Sequence, residues 1–192
     1  YYDADLRPAP QLKESAPTAI GGAVLAKMAL LTGDTNTRRA AIAAGDFLVR
    51  EILPRTQFFD FEVFYSCAPK SLHWLDPLTG IPPMNTLAIQ WAADHFLALY
   101  RLTNDDAWFS HGEYCLSLLS MFQQVWAPNR FGPAYMYGGF GVMNCDGEWN
   151  DGRQSRVVPT YIDYYDATGN LDYLERAVAA CRSAFAAMDM PE

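Results

Sequence analysis

Three threonines, Thr32, Thr103 and Thr168, each end a helix-like apolar pattern, and each is followed by two residues drawn from Gly, Asn and Asp. The turns read Thr32-Gly33-Asp34, Thr103-Asn104-Asp105 and Thr168-Gly169-Asn170. Gly or Asn suits the left-handed residue that closes a helix, and Asp or Asn suits the cap that opens the next one. A two-residue connection of this kind forces the flanking helices to run antiparallel. Three such events in one chain predict stacked αα-hairpins, with helices at about 18–31 and 36–53, 85–102 and 106–126, and 154–167 and 171–188.

Within these segments the periodic residues predict the buried faces. They are Ile20, Val24, Met28 and Leu31 in the first helix, and Ala40, Ala44, Phe47 and Leu48 in the second. In the third and fourth they are Leu87, Trp91, His95 and Leu99, then Tyr114, Leu118, Met121 and Val125. Pro54 closes the second helix, and Pro159 predicts a kink or a late start in the fifth because it has no N–H to donate. The chain of 192 residues reads as one all-α domain whose three hairpins span about 18–53, 85–126 and 154–188.

The connections between hairpins are long, whereas those within them are short. All the long links therefore gather on one face, beside the N-termini of the first helix of each hairpin. Such ends carry free N–H groups and the positive pole of the helix dipole. Long links in a compact helical domain are a usual place for function. One link, 57–85, alternates Phe59, Phe61, Val63 and Tyr65, which predicts a short strand. The other contains Tyr-Gly-Gly-Phe-Gly-Val-Met-Asn-Cys-Asp-Gly-Glu-Trp-Asn-Asp-Gly-Arg at 137–153, a glycine-rich loop with three carboxylates. The two loops are expected to meet on one rim.

Formal charge is -8, which argues against a nucleic-acid partner, and no apolar run is long enough to span a membrane. The chain is expected to be soluble; secretion or a periplasmic location fits, but the sequence does not fix the compartment. Cys67, Cys115, Cys145 and Cys181 have no metal-site spacing, and paired histidines, phosphate loops and dinucleotide fingerprints are lacking, so neither metal nor cofactor is expected. Cys115 and Cys181 read as buried apolar groups, and a Cys67–Cys145 disulfide stays open.

These turns, the segments that follow each (38–48, 108–118 and 173–185) and the loop Gly-Gly-Phe-Gly-Val-Met-Asn-Cys-Asp-Gly-Glu-Trp-Asn-Asp-Gly-Arg-Gln-Ser resemble the six-hairpin glycosidase-like proteins, bacterial members among them. That resemblance implies an (α/α)6 toroid, with inner helices at about 18–31, 85–102 and 154–167 alternating with outer ones. Three hairpins make half a ring, so the remainder belongs to another part of a longer protein or to a second copy. It also implies an oligo- or polysaccharide ligand, in a class that holds glycoside hydrolases, polysaccharide lyases, sugar epimerases and non-catalytic modules.

Glycoside hydrolysis uses two carboxyls, one protonated and one ionised. Glu148 beside Trp149 is the first choice for acid, with Asp146 beside it and Asp60 or Glu62 as the partner base. Asp76 is a further carboxyl of the first loop, and Asp151 reads as a cap or a ligand-binding group. Trp149, Trp74, Tyr65, Tyr135 and Tyr137 offer flat rings to a sugar face, and His73 offers a donor or a proton relay. Trp91, Trp108 and Trp126 read as packing, His95 as a satisfied interior histidine and His111 as a surface residue. Arg153 and Arg156 at a helix start could hold a uronate carboxylate, with Tyr161 or His73 as the base of a lyase. Hydrolase is the leading expectation, lyase or epimerase the second, and a saccharide-binding or scaffold module the third.

Overall fold

A computed structural model describes residues 16–58, 75–126, 136–144 and 155–188. Six helices form three antiparallel pairs: α1 (Thr18–Thr32) with α2 (Thr35–Phe47), α3 (Thr86–Thr103) with α4 (Asp106–Ser120), and α5 (Val157–Thr168) with α6 (Leu171–Met188). Helix α3 also packs against α1 and α5, so α1, α3 and α5 lie side by side and each is backed by its hairpin partner. Among the described residues there is no strand; isolated bridges pair Phe58 with Met84, Asn85 with Met143, and Gln123 with Phe140. The strand expected over Phe59–Tyr65 lies outside the described residues.

The three turns share one pattern of threonine hydrogen bonds. Thr32, Thr103 and Thr168 donate from Oγ1 to the carbonyls of Met28, Leu99 and Tyr164 at 2.8–2.9 Å. The same oxygens accept the backbone N–H of Asp34, Asp105 and Asn170 at 3.1–3.3 Å. Between them Gly33, Asn104 and Gly169 adopt φ of 72°, 58° and 70°, and their N–H groups close the preceding helix on Ala29, Tyr100 and Tyr165. Asp34, Asp105 and Asn170 then accept from the first turn of the next helix. One threonine thus joins the last carbonyls of one helix to the cap of the next, which removes orphan groups at both ends.

One helix ends differently from expectation, and another takes the late start that Pro159 predicted. After Phe47 the backbone widens into a π-helical turn, Leu48–Ile52, and tightens again over Leu53–Arg55 at Pro54. Helix α5 starts late, at Val157, which puts Pro159 in its first turn, where no intrahelical N–H is needed.

The buried faces correct the expectation for α1 and α4. In α1 the small residues Ala19, Gly22, Ala23, Ala26 and Ala29 are buried, while Ile20, Val24, Met28 and Leu31 are exposed, Leu31 at 86%. Small side chains let α1 lie close against α2 and α3, and the bulky stripe is left on the outside. In α2 the buried residues are Ala41, Gly45 and then Leu48, with Ala40 exposed and Ala44 and Phe47 half-buried. In α4 they are Gly112, Cys115, Leu116 and Leu119; Tyr114, Met121 and Val125 face outward, and the helix ends before Trp126, which is exposed. Helix α3 is buried on nearly every side, Trp91, His95 and Leu99 included, with Leu87 half-buried. The core runs from α3 outward through Phe96, Leu116, Tyr161 and Tyr164.

Candidate functional site

The long links meet at the N-terminus of α3, as their connectivity requires. Asn85 caps the helix by accepting from Leu87 and Ala88. Thr86 donates from Oγ1 to the carbonyls of Gly141 and Val142 at 3.0 and 3.1 Å. Asn144 clasps the first link by accepting from Met84 N at 2.7 Å and donating to Pro82 O at 2.9 Å. The rim expected from the topology is present in the described parts of both links.

Below this rim a cleft of about 320 Å³ runs along the first halves of α1, α3 and α5. Helix α1 contributes Ile20, Val24 and Lys27, α3 contributes Gln90, Trp91 and Asp94, and α5 contributes Arg156, Pro159, Thr160 and Asp163. These polar groups are ordered by one chain of hydrogen bonds. Gln90 Nε2 donates to Arg156 O at 2.8 Å and to Thr160 Oγ1 at 3.1 Å. Thr160 Oγ1 in turn donates to Asp94 Oδ1 at 2.8 Å. A carbonyl and an accepting hydroxyl fix the amide orientation, so Gln90 Oε1 is the acceptor left over, and it has no partner.

Asp94 is the chemically distinctive group. Burial raises its carboxyl to about 6; the Thr160 hydrogen bond and the Lys27 ammonium oppose that rise, Asp163 adds to it, and Gln90 opposes it slightly. The burial outweighs the stabilising partners, so the group carries a proton for part of the time near neutrality. Across the cleft Asp163 is paired with Arg101 at 3.1 Å.

Most of the residues singled out from sequence lie outside the described residues: Asp60, Glu62, Tyr65, Cys67, His73, Trp74, Tyr135, Cys145, Asp146, Glu148, Trp149, Asp151 and Arg153. Of the others, Arg156 lines the cleft. Tyr137 is exposed and lines a separate groove of about 550 Å³, beside Arg176 and Arg182 of α6. Tyr161 is fully buried, stacked with Phe140 at 6.3 Å between ring centroids, and its hydroxyl has no partner. Asp76 caps its own turn, accepting from Thr79 N and Oγ1 at 2.9 and 2.6 Å, and the Thr79 hydroxyl holds its carboxyl below the usual range.

His95 is interior, as expected, with Nε2 donating to Ala41 O at 3.1 Å and Nδ1 bare. Burial lowers it to about 4, so the ring is neutral. His111 is not a surface residue; its ring lies half-buried against Phe96 and Trp108. Trp91 and Trp108 pack in or against the core. Cys115 is buried and Cys181 half-buried, both as free thiols.

Lys27, Gln90, Asp94, Thr160 and Asp163 were not among the residues singled out from sequence. A signal for them exists. Gln90 and Asp94 stand four apart on a helix whose neighbours are nearly all apolar, and Arg156, Thr160 and Asp163 follow at helical spacing on α5. A polar stripe along a helix that is otherwise buried must face either a partner polar group or a cavity.

The chain matches no family model and no curated protein. Among the described residues no three His, Cys, Asp or Glu side chains converge to hold a metal ion, and no helix is long and apolar enough to cross a membrane.

Proposed function

We propose that this chain is a carbohydrate-active enzyme, a glycoside hydrolase of the (α/α)-toroid kind in which Asp94 gives the proton to the leaving oxygen. The observation that carries this reading is a cleft-lining carboxyl held near 6 by burial and steered by the Thr160 hydroxyl. A general acid for glycosidic cleavage needs a carboxyl that is still protonated near neutral pH. The opposing carboxylate would come from Asp60, Glu62, Asp146 or Glu148, which lie outside the described residues, with Glu148 retained as the first alternative donor. Trp74 and Trp149 of the links are the rings against which a pyranose would lie.

The stacking of three hairpins, with α1, α3 and α5 side by side and α2, α4 and α6 behind them, supports membership of a larger ring. The lyase reading is weaker for Tyr161, because a fully buried phenol is remote from any sugar proton. Nothing specific favours a purely binding or scaffold role.

The test is a product profile on a panel of neutral and acidic oligosaccharides, comparing wild type with Asp94→Asn and Glu148→Gln. New reducing ends that fall at least 100-fold in Asp94→Asn, with the fold intact, are the expected result. Undiminished turnover in Asp94→Asn would remove Asp94 from the reaction. Sugar binding without turnover in wild type would remove the hydrolase reading itself.

A further inference from the structure

We infer that α6 is a self-association surface, on which a second copy of this chain lays its own α6 antiparallel to the first. Leu171, Leu174, Val178, Cys181, Phe185 and Met188 recur at alternating intervals of three and four residues, the spacing of the apolar seam in a two-helix coil. This seam lies away from Tyr173, Ala177, Ala180 and Ser183, which are the buried residues of the helix. It faces outward. Leu171, Val178, Phe185 and Met188 are exposed, Phe185 at 65% and Met188 at 81%, and Leu174 and Cys181 are half-buried. A helix already packed through one face gains nothing within the monomer from a second apolar one.

The charges beside the seam select a second copy as its cover. Glu175 and Arg182 stand one heptad apart on the same flank, and both are exposed. Among the described residues neither is in an ion pair, whereas Asp172 and Arg176 are matched to each other at 2.8 Å. Seven residues separate Glu175 from Arg182 by about 10 Å along the helix, too far to pair within one chain. An antiparallel second α6 brings the opposite charges together. With Val178 level with Cys181 of the other copy, Leu174 is level with Phe185 and Leu171 with Met188. Glu175 of each copy then comes within about 3 Å, measured along the axis, of Arg182 of the other. Two-fold symmetry makes this contact twice. A parallel pair would set the same charges against Ala177 and Ala184, so it lacks the match. The groove of about 550 Å³ lined by Tyr137 runs along the charged flank, between Val125 and the Leu174, Val178 and Ala179 side of α6. It receives Phe185 of the other copy at the level of Leu174, which extends the contact beyond one helix.

The test is sedimentation velocity of the full chain over a range of concentrations, on wild type and on variants at these exposed positions, with thermal melts to establish that each variant folds. A reversible dimer is expected. Glu175→Arg or Arg182→Glu alone should weaken it about 10-fold or more. The exchange Glu175→Arg/Arg182→Glu should restore it to within about 3-fold of wild type, because an antiparallel pair of identical helices regains both contacts. Val178→Asp should leave a monomer. A monomer of wild type at every concentration overturns the inference and leaves the stripe to a partner of different sequence. A dimer that tolerates Val178→Asp, or one that the charge exchange fails to restore, puts the contact elsewhere and overturns it equally.

Discussion

Gly22 of α1 lies face to face with the imidazole of His95 on α3, so that a Cβ at position 22 would stand 2.6 Å from Nε2 and 2.7 Å from Nδ1. The absence of one carbon atom is what lets these two helices touch. The neighbouring Gly21 has nothing within 4 Å of the same construction.

The pair makes a matched prediction. Gly21→Ala removes backbone freedom at an open helical site and should raise stability by about 0.5–1 kcal/mol. Gly22→Ala gains the same amount and then loses about 1–3 kcal/mol to overpacking against the ring, so it should be destabilising. Urea unfolding of the two variants checks the opposite signs.

His95 should make the protein acid-sensitive. Its folded value near 4 lies below the ordinary 6.5, so the unfolded chain takes up the proton first as pH falls. The stability it contributes is full above about pH 6.5 and is lost toward pH 4, by on the order of 3 kcal/mol. Denaturant melts across that range should show the loss.

Asp94 acts in the opposite sense. Its folded value near 6 exceeds the ordinary 3.8, so its contribution is present below about pH 4 and is lost as pH rises through 6. Asp94→Asn should therefore be about 2 kcal/mol more stable than wild type at pH 7 and no more stable at pH 4. With Asp94 removed, the His95 loss stands alone, and the variant should fall more steeply between pH 6.5 and 4. A gain in stability joined to a loss of turnover is the pattern of a group kept for chemistry.

The same value governs rate. If Asp94 donates the proton, kcat/KM should decline above about pH 6, and the decline should be absent from the residual activity of Asp94→Asn. A pH profile of both proteins on one cleaved substrate measures it.

The hairpin turns give a further check. Thr103→Val keeps the shape of the side chain but removes the donor to Leu99 O and the acceptor for Asp105 N. A cost of about 1–2 kcal/mol is expected, read from a shift in the thermal midpoint.

All three turns and the six helices were legible in the sequence because they rest on local chemistry: a threonine, a residue tolerant of positive φ, and a capping side chain. Pro159 was legible for the same reason, as a late start. The buried faces of α1 and α4 were not. Hydrophobic periodicity follows large side chains, whereas the contact of α1 with its neighbours is made by Ala19, Gly22, Ala23 and Ala26, whose value is small volume. The cleft was missed for a related reason. Attention falls on loops rich in acids, while Asp94 stands alone on an apolar helix, and what distinguishes it is desolvation and the Thr160 hydroxyl, which lies 66 residues away.

Helix α3 is at once the centre of the core and the floor of the cleft. Its amides should exchange with deuterated solvent only when the whole molecule opens, since burial surrounds them on nearly every side. The proton on Asp94 is then shielded from local breathing: bulk water reaches it through the mouth of the cleft and not through fluctuations of the helix that holds it. Whatever occupies that mouth decides when the proton can leave.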